Sequence, residues 1–142
     1  MNFLKKLFNV HTTKSGIIFI VEDNPAYANT LELFIKSTFP SVKEVKVFPV
    51  GETCLLELNK NPDLIIIDYF LDTKYYDAES GLEIIRKIRI QKPEMNIVVL
   101  SSQKDIDVAL ESVKKYYCSY VQKDEQACAR IEEIINEMFS KV

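Results

Sequence analysis

Cysteine is scarce in this chain of 142 residues, which carries only Cys54, Cys118 and Cys128. An odd number without C-x-x-C spacing argues against a disulfide framework and a zinc site, and favours a reducing compartment. Long apolar runs are missing too. None approaches the roughly 20 residues that span a bilayer. Charge of one sign is not in excess: 18 Lys+Arg stand against 21 Asp+Glu, a net charge of -3. No electrostatic footprint for nucleic acid follows from that balance. No linker, internal repeat or low-complexity tract divides the chain. Its length suits one domain able to bury a core, with no room for an output domain, and 47% hydrophobic residues is ordinary for a globular protein.

Residues 1–15 are set apart as an N-terminal extension to a domain over 16–142. Phe3, Leu4, Leu7 and Phe8 fall at helical spacing, with Lys5 and Lys6 between them. The lysines break the apolar run and no small-residue cleavage site follows, so a signal peptide is not expected. A short amphipathic helix on a membrane or partner is one reading. The preferred one is a frayed tail or a turn of helix packed on its own domain, because so short a helix is marginal alone. A cytoplasmic location without membrane contact is expected.

Five apolar runs punctuate the rest: Ile17–Val21, Val42–Phe48, Leu64–Ile67, Ile97–Leu100 and, weakest, Cys118–Val121. Continuous β-branched runs suit strands buried on both faces of a parallel sheet; the second run alternates and suits a more exposed or edge strand. Helical patterns separate them. Asn24 can cap a helix with Pro25 at its first position, and Pro40 stops it. Gly51–Asn59, Gly81–Ile90, Asp105–Lys115 and Glu125–Phe139 carry apolar residues at helical spacing. Strands alternating with helices predict right-handed βαβ units in a doubly wound α/β domain.

Ligands of such sheets bind beyond the carboxyl ends of the strands. Glu22-Asp23 ends the first strand, Asp68 the third and Ser101-Ser102 the fourth, and Lys123 follows the fifth. Three carboxylates repel one another unless a cation joins them, and an all-oxygen set suits Mg²⁺. A bound cation, Lys123 and Ser101 can together neutralise a phosphoryl group in transfer. Asp68, ending the most apolar strand, is the best-placed nucleophile, with Glu22 and Asp23 left to hold the ion. Each residue alone has a plainer use: helix cap, loop start, solvated lysine. Their joint occurrence at one sheet edge is the signal.

The motifs IIFIVEDNP, PDLIIIDYFL, SGLEIIRKIR, NIVVLSS and SYVQKDE, with FPVGETCLLEL, resemble the response-regulator receiver family over about residues 16 to 140. The resemblance implies a flavodoxin-like five-stranded parallel sheet of order 2-1-3-4-5 with helices on both faces. It implies that Asp68 is the phosphoacceptor and Asp23 a direct Mg²⁺ ligand, with Mn²⁺ a plausible substitute. Glu22 would act through a metal-bound water, and the Phe70 backbone carbonyl would complete the protein's ligands. Ser101 and Lys123 would bind the phosphoryl group. Tyr120 matches an aromatic switch residue; its plainer role is core packing with the hydroxyl at the surface. The implied partners are a histidine kinase or histidine phosphotransfer protein, and a downstream protein on the face of helix 4, strand 5 and helix 5. The state would be a monomer or a phosphorylation-linked dimer.

Three departures stand out. Glu22 takes a position where Asp is commoner, the loop 71–80 is long and lacks proline, and Asp124 follows Lys123 where proline is usual. The loop can shield the site, recruit a partner, or be a tolerated insertion, which is the preferred reading. Phe70 and Gln103, each two residues past a site residue, can flank the path of water toward an acyl phosphate. Phe70→Asn is expected to shorten the lifetime of phospho-Asp68; an unchanged or longer lifetime counts against this. Two other readings are kept: a Mg²⁺-dependent aspartyl-phosphate phosphohydrolase, which commonly has a second Asp where Phe70 stands, and a scaffold that is never phosphorylated.

Overall fold

The computed structural model describes residues 14–69, 80–102 and 106–140. The expected extension over 1–15 lies almost wholly outside them, as do Phe70, loop residues 71–79 and Gln103.

Five parallel strands form one sheet in the order β2-β1-β3-β4-β5. They are β1 (Ile17–Val21), β2 (Glu44–Phe48), β3 (Leu64–Asp68), β4 (Ile97–Ser101) and β5 (Ser119–Gln122). Among the described residues the helices between them are α1 (Pro25–Thr38), α2 (Gly51–Leu55), α3 (Gly81–Gln91), α4 (Ile106–Tyr116) and α5 (Ala127–Ser140), with a 3₁₀ turn at Leu58–Lys60. Every residue of β3 and β4 is buried, which is why those runs read as unbroken apolar sequence. The exposed, alternating β2 is an edge strand, as its pattern suggests.

Successive side chains divide between two cores, one on each face of the sheet. Phe19, Val21, Ile65, Ile67 and Val99 meet Ile84, Ile85 and Ile88 of α3. Ile18, Ile20, Ile66 and Leu100 meet Leu31 and Ile35 of α1 and Ile131 and Ile135 of α5. Each of these wholly buried Ile and Leu side chains contributes roughly 1.5–3 kcal/mol.

The helix expected over Gly51–Asn59 is two pieces instead. Glu57 N–H bonds the Cys54 carbonyl three residues back, and the turn ends on Asn61 at φ 54°. Glu57 leans away to Lys46 of β2 (2.6 Å) and to Lys60 (2.7 Å), a tertiary pull that helical spacing does not encode. β2 starts two residues later than its apolar run because Val42 N–H closes a turn on Phe39. β5 starts one later because Cys118 N–H closes α4 on Val113, past Tyr117 at φ 56°.

At the amino edge of the sheet, Asp63 accepts from Ser15 N–H (2.9 Å) and Gly16 N–H (2.8 Å), fastening the start of β1 beside the start of β3. Two glycines allow close approach between elements. A Cβ on Gly51 would stand 2.4 Å from Ile84 Cγ1, and one on Gly81 would stand 2.4 Å from the Asp68 carbonyl oxygen. Cys54, Cys118 and Cys128 are free thiols. Burial pushes Cys54 up to about 12, which leaves it inert as a nucleophile. No described helix is long and apolar enough to cross a membrane.

Candidate functional site

Four strand ends deliver the site. β1 runs into Glu22 and Asp23, β3 closes on Asp68, β4 closes on Ser101, and Lys123 follows β5. Main-chain bonds continue the ladder here. Glu22 N–H donates to the Phe48 carbonyl (3.1 Å), Tyr69 N–H to Leu100 (2.8 Å) and Lys123 N–H to Ser101 (2.8 Å). The candidate side chains therefore hang from backbone that is still tied to the sheet.

Glu22, Asp68 and Ser101 are 1%, 6% and 0% exposed. One oxygen from each of Glu22, Asp23 and Asp68 lies within 4.8 Å of the others. Like charges gathered at low exposure are costly without a counter-charge. Lys123 supplies part of it: its Nζ donates to Glu22 Oε1 and, at 2.9 Å, to Asp68 Oδ2. Burial holds Glu22 up at about 7; the Lys123 hydrogen bond works the other way, and the charge of Asp68 reinforces the rise. Burial opposes the Lys123 ammonium, but its bonds to Glu22 and Asp68 outweigh that and the net direction is upward.

This arrangement sets a pH dependence. Between the ordinary 4.5 and about 7, folded Glu22 keeps a proton that the unfolded chain has released. Stability therefore falls as pH rises through that window and levels off above it. Lys123 shifts in the opposite sense: its contribution is complete below the usual lysine range and is lost only above it. Thermal unfolding of the metal-free chain from pH 5 to 8 is expected to show a loss on the order of 2–3 kcal/mol that Glu22→Gln removes. Parallel profiles for the two proteins would contradict this.

The donor set fits a hard divalent cation such as Mg²⁺. It is all oxygen, two of its three carboxylates are buried, and one ammonium stands against three carboxylates.

Ser101 lies inside β4 and its hydroxyl donates to the Ser102 carbonyl (3.2 Å), so it is not the cap of a helix that starts at Ile106. Tyr120 is half-buried in β5 against the same core as Val113 and Tyr116 of α4. Its hydroxyl is not at the surface, as plain packing suggested. The oxygen is buried and has no hydrogen-bond partner among the described residues. The expected ligand Phe70 and the expected lifetime residue Gln103 lie outside the described residues.

Asn24 caps α1 as its position suggests, accepting from Ala26 N–H (3.0 Å) and Tyr27 N–H (3.1 Å). Two further residues shape the site: Asp124, already a departure in the sequence, and Tyr27, which escapes a reading of it. Asp124 shapes the loop after Lys123, accepting from Gln126 N–H (2.8 Å) and leading into α5. The Asp-x-x-Ala start of a helical pattern was its available signal. Tyr27, third in α1, places its ring under Lys123 Nζ, 4.6 Å from the centroid.

Fold and site together define a flavodoxin-like α/β domain with a lysine-bridged acidic cluster at the carboxyl edge of its sheet. The chain belongs to the response regulator receiver domain family, whose model matches residues 18–136. Receiver domains are the signalling switches of two-component systems. The chain is 28% identical over 124 residues to the cell cycle transcriptional regulator CtrA of Caulobacter vibrioides, covering 83% of this chain and 49% of that protein. It is 24% identical over 110 residues to the alginate biosynthesis transcriptional regulatory protein AlgB of Pseudomonas aeruginosa, covering 78% and 23%. It thus spans about half or less of the curated relatives it matches. In structure it is similar to the receiver domain of NtrX from Brucella abortus (TM-score 0.73, 18% identity, 88% of this chain and 99% of that one). A signal receiver domain from Bacteroides fragilis gives a TM-score of 0.70 at 23% identity, covering 86% and 95%.

Proposed function

We propose that this chain accepts a phosphoryl group on Asp68 from the phosphohistidine of a histidine kinase or histidine phosphotransfer protein, and that the adduct changes a protein-binding surface. The observation that carries this reading is Lys123 Nζ at 2.9 Å from Asp68 Oδ2, with Glu22 and Asp23 oxygens clustered beside the same carboxylate.

An Asp68 oxygen attacks phosphorus, the phosphorus–nitrogen bond to the donor imidazole breaks, and an acyl phosphate forms. Lys123 moves its hydrogen bond from the carboxylate to a phosphoryl oxygen, and the Ser101 hydroxyl donates to another. Asp23, Asp68 and the Phe70 carbonyl would hold Mg²⁺, with Glu22 acting through water; the ion supplies positive charge to the phosphoryl oxygens. Tyr120 shares its core with Val113 and Tyr116, so a change in its packing is felt by α4. The downstream partner is accordingly assigned to the α4–β5–α5 face.

Incubation with acetyl phosphate and Mg²⁺, followed by intact mass measurement, is expected to show one added phosphoryl group, with none when a chelator is present. No adduct supports the scaffold reading, and rapid multiple turnover of the donor supports the phosphohydrolase.

A further inference from the structure

Lys123 has a third partner besides its two carboxylates. Its ammonium bonds Glu22 and Asp68 on one side and stands 4.6 Å from the Tyr27 ring centroid on another. An aromatic face attracts a cation through its quadrupole, most strongly where water is thin. Here the Lys123 side chain is only 20% exposed, and Tyr27 of α1 is half-buried against the core that α1 and α5 share.

The backbone that carries the ring is tied to the acidic turn. Tyr27 N–H is bonded to the Asn24 side chain, and Asn24 follows directly on Glu22 and Asp23. The capping turn thus fixes the Tyr27 backbone relative to the acidic pair. The hydroxyl contributes no such fixing, since it is buried and has no hydrogen-bond partner among the described residues. The ring is the part of Tyr27 that touches the site.

We propose that Tyr27 is a positioning residue for phosphoryl transfer: its ring holds the Lys123 ammonium over Asp68 while that ammonium exchanges a carboxylate oxygen for a phosphoryl oxygen. This rests on Asp68 being the phosphoacceptor. During the exchange both carboxylate partners change, and the ring stays. Without it the flexible four-carbon stem of lysine must find the phosphoryl group unaided.

The test compares Tyr27→Leu and Tyr27→Phe with the wild type. The rate of adduct formation from acetyl phosphate at saturating Mg²⁺ should fall about tenfold in Tyr27→Leu and stay within about twofold in Tyr27→Phe, which keeps the ring. In a Lys123→Ala background Tyr27→Leu should have no further effect, because the ring acts through the ammonium. An equal slowing in that background, or a Phe variant as slow as the Leu variant, overturns the proposal. A second measurement needs no phosphoryl group. The ε-CH₂ protons of Lys123 should resonate upfield of the other lysines in the wild type and Tyr27→Phe, from the ring current, and return to the ordinary position in Tyr27→Leu. Absence of that shift in the wild type overturns the contact itself. A shifted wild type that never forms an adduct instead overturns the phosphoacceptor assignment, and with it the positioning role.

Discussion

Asp68→Asn is expected to take up no phosphoryl group under conditions that load the wild type fully. The amide cannot form an acyl phosphate, and no neighbouring carboxylate can stand in. Glu22 is bonded to Lys123 and buried at the end of β1, and Asp23 stands on the turn into α1. The same substitution should leave the fold intact. The asparagine carbonyl oxygen can still accept from Lys123, whose other bond to Glu22 remains. It also removes a negative charge that helps hold Glu22 up. The fall in stability between pH 5 and 8 should therefore flatten in Asp68→Asn, with overall stability within about 1 kcal/mol of wild type at pH 7. Intact mass and thermal unfolding across pH measure both effects. An adduct on the variant at the wild-type rate would move the acceptor elsewhere.

Gly81→Ala is expected to do the greatest damage to stability. The added methyl would sit 2.4 Å from the Asp68 carbonyl oxygen and 2.5 Å from that of Tyr69. Those atoms are backbone at the end of a central strand, so no flexible side chain can turn aside. α3 would have to lift away from β3, opening the core around Ile84, Ile85 and Ile88. Overpacking costs roughly 1–3 kcal/mol where side chains can give way, and this case belongs at or above the upper end. For a chain of this size that lowers the melting temperature by about 10 °C. Because the strained backbone carries Asp68, adduct formation should slow in the fraction that remains folded. A melting temperature within about 2 °C of wild type would show that α3 can shift freely. Gly51→Ala offers the contrast: its Cβ would meet Ile84 Cγ1 at 2.4 Å, a side-chain rather than a backbone atom, so the core can repack around it and the effect should be smaller.

The central strands are plain in the sequence because burial on both faces demands a run of four or five apolar residues in each of β1, β3 and β4. β5 is faint because only Val121 of its four residues is fully buried. The division of the expected Gly51–Asn59 helix is not legible, because the ion pairs of Glu57 with Lys46 and Lys60 help set it. At the site, the chain order of Glu22, Asp23, Asp68, Ser101 and Lys123 maps onto strand ends, so their convergence follows once the sheet is recognised. Tyr27 does not follow in that way. It lies 96 positions before Lys123, and the contact depends on how α1 packs beside α5. The expected partner of Lys123, a phosphoryl oxygen, gives place in this structure to two carboxylates. Glu22 is long enough to reach the ammonium across the cluster.

The Asp63 carboxylate, holding Ser15 and Gly16, also decides how this molecule can be handled. A dye carried on the exposed Lys14 side chain sits beside the start of β1, and that five-residue strand puts its attachment point roughly 17 Å from the candidate site. A donor protein approaching Asp68 would meet the opposite rim uncluttered, so a label at that position should report on docking without obstructing it.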